Sequence, residues 1–532
     1  MLANALTQLG PCLSTRLAEH LVEVGRLSPA AARQRVARSP AGVKKLAHLP
    51  FARGVRFMYF EKDYASPLYW DRLFEAILAS QSAYARALVA VRARGAVPVA
   101  HFPAACGAPV AQKKHISAET VLARMISAGV FKRMDLPGIG ECIMARDSAD
   151  SIGSMPAALS RFRARLITER ILLDSVKEWL RRLGIASFNL VKLRDSSSEL
   201  PMVGTFAWDL TAPSYLGPLV SRAKTGAKKH GLIACDVLLE GSLGLANAET
   251  FLYKVSSLQA LKRLGNALFI FVSEHYAKEA FDRLRGEGIL AATPETLFGK
   301  DVAEGFKELE KVLDLAARQS VDPAKFNMLF DRLGKVEGAV GNMRGALFEL
   351  LVAEVARREH PANPILNKIC TGRDGAKAEI DVWVAIENRQ TYLIECKGHA
   401  PGSAIDDAEI DRWLDKRIPA ARGEIERTMS RPPTRLSFEL WYTGVLSESS
   451  LHRINRTRDA NQSKFDIVLV DPVAIRARVA TLNDLSLLKT FEQHFLPPQA
   501  TPPVPQARIP ATPVLPLVGQ KRDTPALGLP AP

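Results

Sequence analysis

The sequence is short of cysteine. Six occur in 532 residues, Cys12, Cys106, Cys142, Cys235, Cys370 and Cys396, with no Cys-x-x-Cys pair and no metal-finger spacing. That argues against a disulfide scaffold or a zinc ribbon. No run of 18 or more apolar residues occurs, so no stretch reads as a membrane-spanning helix. Met1-Leu2-Ala3-Asn4 carries neither the charged nor the apolar region of a signal peptide. A reduced, cytoplasmic setting with no membrane contact is therefore expected. Repeats of solenoid period are also missing. Acidic residues are the minority charge, 56 against 71 Lys and Arg, giving a net charge of +15 and a pI near 9.5. Such a surplus favours a polyanionic partner.

What is present is an ordinary globular balance, 47% hydrophobic and 24% charged, on a chain long enough for three or four domains. The most informative stretch is Tyr392-Leu393-Ile394-Glu395-Cys396-Lys397-Gly398, read with Glu379-Ile380-Asp381-Val382. Both segments have the β-branched, aromatic and alternating character of strands, and residues 387–390 read as a hairpin turn between them. Alternation puts Glu395 and Lys397 on one face and Cys396 on the other. Paired strands would bring Asp381 beside Glu395. Two carboxylates in apolar surroundings repel, and a hard cation such as Mg²⁺ relieves that while keeping waters for a phosphate. This is the chemistry of phosphodiester hydrolysis.

Asp381 followed by Glu395-Cys396-Lys397 resembles the signature of the PD-(D/E)XK, or restriction-endonuclease-like, nucleases. Arg344-Gly345-Ala346-Leu347-Phe348-Glu349 resembles the family's first core helix and its Gly-x-x-Phe-Glu segment. Ile380 stands where the motif's proline would be. The resemblance implies Mg²⁺ or Mn²⁺ held by Asp381, Glu395 and the Cys396 backbone carbonyl, with Glu349 completing the acidic shell directly or through water. It also implies that Lys397 orients or helps deprotonate the attacking water, and that cleavage leaves a 3′-hydroxyl. Residues 341–490 form this nuclease domain.

Upstream, residues 1–75 resemble a winged helix-turn-helix. Leu17 to Val24 has helical spacing, and Ser28-Pro29 and Ser39-Pro40 each place a capping residue before proline. The second of these should start a short helix carrying Lys44 and Lys45, followed by a strand over Val55 to Phe60. Residues 76–150 repeat the plan, with a helix over Tyr84 to Arg94, a Ser117-capped helix, and a wing carrying Lys132 and Arg133. Residues 1–150 hold 20 Lys and Arg against 11 Asp and Glu, which suits contact with DNA phosphates. Protein-protein packing is the alternative use of such modules.

Residues 151–300 read as helix (Arg161 to Leu183, with Glu169), strand (Phe206 to Leu210), strand (Leu232 to Leu239), helix, strand and helix. That is the nuclease order again, and Phe269 to Phe298 resembles the C-terminal half of Mrr-type domains. Ala234 and Asp236 fall where Glu and Lys would stand, so this copy reads as degenerate and noncatalytic, with Asp209 a relic ligand. A generic α/β domain remains the alternative. Residues 301–340 read as a helical linker. Within the nuclease domain a helix over Ala404 to Arg427 carries Lys416 and Arg417, which could reach phosphate, and His399 shares the face of Lys397. From 491 to 532 the chain reads as a disordered, proline-rich tail, with 11 of the 33 prolines after residue 496.

The fold expected is thus multidomain α/β: N-terminal winged helices, then a degenerate and an intact restriction-endonuclease-like domain. The expected function is a metal-dependent endonuclease acting on double-stranded DNA, in restriction or antiphage defence, with defence-system partner proteins and a homodimer as further expectations. A noncatalytic winged-helix regulator stays open, as does a nuclease of transposition, repair or RNA processing.

Overall fold

The structure, a computed structural model, describes residues 1–112, 115–136, 139–148, 156–195, 199–222, 228–261, 266–316, 323–336, 339–386, 389–429 and 433–497. Residues 1–496 form one compact unit. The proline-rich stretch from residue 498, residues 387–388 of the expected hairpin turn, and residues 137–138 lie outside the described residues.

The chain opens with helix Leu2–Leu9, strand Cys12–Leu13, helices Ser14–Glu23 and Pro29–Ala37, and strands Val43–Lys45 and Phe57–Phe60. The three strands form an antiparallel sheet in the order first, third, second. Ser28 accepts the Ala31 N–H at 3.3 Å and Pro29 occupies the first turn, so this helix starts as its sequence predicts. The helix expected after Ser39-Pro40 does not form. Ser39 Oγ donates back to the Val36 carbonyl at 2.9 Å, finishing the previous helix instead of capping a new one, and Gly42 turns the chain at φ +85°. Lys44 and Lys45 consequently sit on a strand.

After helix Pro67–Ala79 the same plan recurs: helix Ala83–Arg94, strand Ala96–Pro98, helices Phe102–Ala105 and Ala118–Ser127, and strands Phe131–Leu136 and Gly140–Ala145. The strand order is again first, third, second. Ser117 caps the third helix by accepting the Thr120 N–H at 3.1 Å.

Two five-stranded sheets, with two short two-stranded ribbons beside them, carry the strands of the rest. The first joins Lys192–Leu193, Leu210–Ser214, Gly231–Leu243, Ala267–Tyr276 and Leu290–Ala292; the second joins Ile365–Thr371, Lys377–Ile386, Gln390–Lys397, Arg435–Tyr442 and Asp466–Val470. In both, the strands lie in sequence order, the first three antiparallel and the last two added in parallel. A long helix precedes each, Pro156–Arg182 and Ala339–Glu359. The expected strand Phe206 to Leu210 is divided: Phe206–Ala207 pairs with Met202–Val203, and only Leu210–Ser214 enters the sheet.

One hydrophobic core serves both sheets. It takes Leu172 and Ile233 from the first module, Leu351 and Ile394 from the second, and Phe306, Leu309, Leu329 and Leu333 from helices Lys300–Ala316 and Pro323–Leu333. The stretch expected to be a linker is therefore core. Each such buried side chain contributes about 1.5–3 kcal/mol, so pulling the modules apart would be costly. Helix Leu485–Phe495 closes this core with Phe491 and Phe495, both inside the segment expected to begin the tail.

Candidate active site

The hairpin of Lys377–Ile386 and Gln390–Lys397 is paired from Ile386 and Gln390 to Val382 and Ile394, where the ladder stops. Asp381 and Glu395 are the next residues across. The Asp381 side chain takes over the ladder there, its Oδ2 accepting the Cys396 N–H at 2.7 Å. Ile394 and Cys396 point into the shared core, which leaves Glu395 and Lys397 on the other face, as strand alternation requires. Lys397 Nζ lies 2.9 Å from Glu395 Oε1 and 3.1 Å from Glu409 Oε2. His399 Nε2 is 3.8 Å from the same Glu409 oxygen.

Arg417 completes the cluster, pairing with Glu395 Oε1 and standing 3.5 Å from Asp381 Oδ1. The helix expected over Ala404 to Arg427 is broken into Asp407–Arg412, a π turn Trp413–Arg417, and Ile418–Thr428. Such a widened turn changes the phase of the side chains around the helix axis. Of the two residues expected to reach phosphate, Arg417 faces the carboxylates and Lys416 is exposed. No spacing in the sequence reveals a π turn.

Glu349 comes from the facing helix. The close approach depends on Gly398, where an added Cβ would lie 2.4 Å from Phe348 Cβ. Burial, then Asp381 and Glu379, push the Glu349 carboxyl well above the usual carboxylate range. Burial and Glu395 push Asp381 up to about 7, against the pull of Arg417, Lys397 and the Cys396 N–H. Burial works to lower the Lys397 ammonium, but Glu395 and Asp381 outweigh it and raise it. Glu409 is held down to about 2, chiefly by His399, with Lys397 adding to the pull against burial. Among the described residues no three His, Cys, Asp or Glu side chains are arranged to hold a metal ion. What the strand ends bring together is the pair Asp381 and Glu395. Glu395 Oε2 is buried with no hydrogen-bond partner.

Asp381, Lys397, Glu349, Glu409, His399 and Arg417 line a cavity of about 920 Å³. Its opposite wall is not part of the same module. Arg163, Ile167 and Arg170 of helix Pro156–Arg182 line it, together with His101 from the second N-terminal unit.

The first module repeats the carboxylate arrangement. Its hairpin pairing ends at Leu210 and Cys235, so Asp209 and Asp236 stand next across, and Asp209 Oδ2 accepts the Val237 N–H at 2.8 Å. Asp236 thus occupies the place of Glu395 and Leu238 that of Lys397, a correction to the alignment that set Ala234 and Asp236 against Glu and Lys. The strand pairing decides this, and sequence spacing alone does not contain it. A lysine is also present, from a helix: Lys254 Nζ pairs with Asp236 Oδ2 and donates to the carbonyls of Ala207 (2.9 Å) and Ala104 (3.0 Å). Arg194 fills the space between Glu169 (2.7 Å) and Asp209 (3.0 Å), and both carboxylates are buried with it. Buried charges are tolerable when paired in this way.

The N-terminal basic residues lie apart from the cavity lining. Lys44 Nζ is 3.4 Å from Glu61, Lys45 Nζ donates to the Ala37 carbonyl at 2.8 Å, and Arg133 is 3.3 Å from Glu141, while Lys132 is half-buried on the same strand. Arg33 and Arg35 on helix Pro29–Ala37 are exposed, and no sequence motif had marked them out.

No protein-family model matches the chain, and no curated protein matches it. Among solved structures, a protein of unknown function, AF1548, is similar at 16% identity and a TM-score of 0.17, over 25% of this chain and 67% of that one. The restriction endonuclease FokI bound to DNA is similar at 10% identity and a TM-score of 0.20, over 87% of this chain and 80% of that one. A second FokI structure gives 10% and 0.18, over 88% and 82%. Likeness at this level leaves function to be argued from the site. No helix among the described residues is long and apolar enough to cross a membrane.

Proposed function

We propose that the chain is a metal-dependent DNA endonuclease of the restriction-endonuclease-like type, with its active centre at Asp381, Glu395 and Lys397. The observation that carries this is the end of the hairpin ladder, where two carboxylates face each other and a buried Glu395 oxygen has no donor. A hard cation fits that need: it satisfies the orphan oxygen and relieves the repulsion that burial and Glu395 place on Asp381. Asp381 and Glu395 would hold it, with the Cys396 carbonyl added by family resemblance and Glu349 acting through water. Bound there, Mg²⁺ or Mn²⁺ would supply Lewis-acid activation of a water and of the phosphodiester.

The remaining chemistry belongs to the side chains. Lys397, its pKa raised against burial by Glu395 and Asp381, is an ammonium at neutral pH and suits holding the attacking water and balancing phosphate charge better than removing a proton. Arg417 is placed to meet the scissile phosphate once a cation takes over its carboxylate partners. The two N-terminal units have the element order of winged helices, and exposed Arg33 and Arg35 support their contact with DNA phosphates. The Arg194-filled cluster in the first module supports reading that copy as catalytically silent.

The test is cleavage of supercoiled plasmid with Mg²⁺, Mn²⁺ or Ca²⁺, with EDTA and Lys397→Ala as controls. Cleavage abolished by both is the expected result. Metal-independent cleavage, or cleavage unchanged in Lys397→Ala, would overturn the assignment, and no cleavage of duplex or single-stranded DNA would favour the noncatalytic regulator.

A further inference from the structure

The catalytic cavity has a wall from another part of the chain, and that wall is basic. Arg163, Ile167 and Arg170 recur at the spacing of one helix face on Pro156–Arg182, and all three line the cavity. The opposite face of the same helix puts Ala164 and Leu172 into the core shared by both modules. The wall is therefore fixed by a hydrophobic interface.

On the catalytic side Lys397 and Arg417 are already paired with carboxylates, and a further lining cation, Arg344, is half-buried over the Phe330 ring. Lys397 is paired with Glu395 and Glu409, and Arg417 with Glu395 and Asp381. A nucleic-acid strand lying over this floor needs further positive groups for the phosphates flanking the cut. Arg170 is exposed at the wall, and its bond to Asn342 Oδ1 is long at 3.4 Å. Arg163 is half-buried, with Glu349 and Glu379 of the catalytic module in its electrostatic surroundings. Guanidinium groups suit phosphate oxygens because their planar fork gives two parallel hydrogen bonds.

We infer that the active site is composite: the first α/β module supplies Arg163 and Arg170 to hold the phosphates of the strand cut by the second. This rests on the nuclease reading and adds a function to the module whose own carboxylates are filled by Arg194. A silent module would then persist as one wall of its neighbour's site.

The experiment uses the full chain and a labelled DNA oligonucleotide. In an Asp381→Asn background, which removes cleavage, Arg170→Gln and Arg163→Gln should each weaken binding at least fivefold. Each should also lower the slope of log K against log salt by about 0.9, the share of one neutralised phosphate, and Arg→Lys should restore part of both. With Asp381 intact, the same variants should raise KM for cleavage with little change in kcat. A purely structural role would lower the melting temperature and leave the salt slope unchanged, so an unchanged slope in folded Arg170→Gln overturns the inference. If the native protein cuts nothing while the binding losses appear, the nuclease reading falls and the phosphate-holding wall stands. If no oligonucleotide binds, both fall.

Discussion

Asp209 and Asp381 occupy the same position in two sheets of identical strand order: each accepts a backbone N–H across its hairpin, from Val237 at 2.8 Å and from Cys396 at 2.7 Å. Their surroundings differ. Arg194 neutralises Asp209 and Glu169 within the protein, whereas Asp381 and Glu395 share a partly exposed Arg417, and Asp381 and Arg417 line an open cavity.

Asp209→Asn and Arg194→Met are therefore expected to destabilise the fold, each by about 3–5 kcal/mol, the cost of leaving a buried charge unpaired. The folded fraction should cleave DNA normally. Asp381→Asn should abolish cleavage with little loss of stability, because it removes a carboxylate already pushed up to about 7. Chemical denaturation alongside a cleavage assay checks both, and equal catalytic losses from Asp209→Asn and Asp381→Asn would show two working sites.

Gly398→Ala should cost about 1–3 kcal/mol, the usual range for overpacking, since its Cβ would press on Phe348 of the helix that carries Glu349. The same displacement should lower cleavage. A thermal melt within a degree of the native protein would rule this out.

Replacing Arg33 and Arg35 together by Ala should weaken DNA binding and reduce the salt slope by about 0.9 for each phosphate no longer neutralised. Stability should hardly change, as both side chains are exposed. An unaltered slope would assign the first N-terminal unit to protein contact.

Asp195, on the same cavity wall as His101, provides a pH test at a carboxylate outside the Asp381 and Glu395 pair. Burial works to raise it, but the His101 hydrogen bond at 2.6 Å and the Arg194 charge outweigh that and hold it down to about 2. Its folded pKa lies below the unfolded value near 3.9, so its contribution to stability is present above about pH 4 and is lost as pH falls towards 2. Asp195→Asn should flatten the stability profile in that window, measured by urea denaturation at successive pH values.

Strand alternation is a local property, and so the sequence alone put Glu395 and Lys397 on one face, sent Cys396 into the core, and set Asp381 across the hairpin. Helix capping is equally local, and Ser28-Pro29 and Ser117 start helices where their chemistry requires. The tertiary structure decided the rest. Ser39 finished one helix rather than starting another because a carbonyl three residues back was in reach, which moved Lys44 and Lys45 to a strand. At a π turn, Arg417 and not Lys416 meets the carboxylates. The register between distant strands gave Asp236 the place of Glu395. The helices of 300–333 became core because their apolar faces meet both sheets at once, and the basic wall opposite Asp381 exists only through that packing. Each of these depends on which residues far apart in the chain come within bonding distance, information carried by the folded energy balance and by no local pattern.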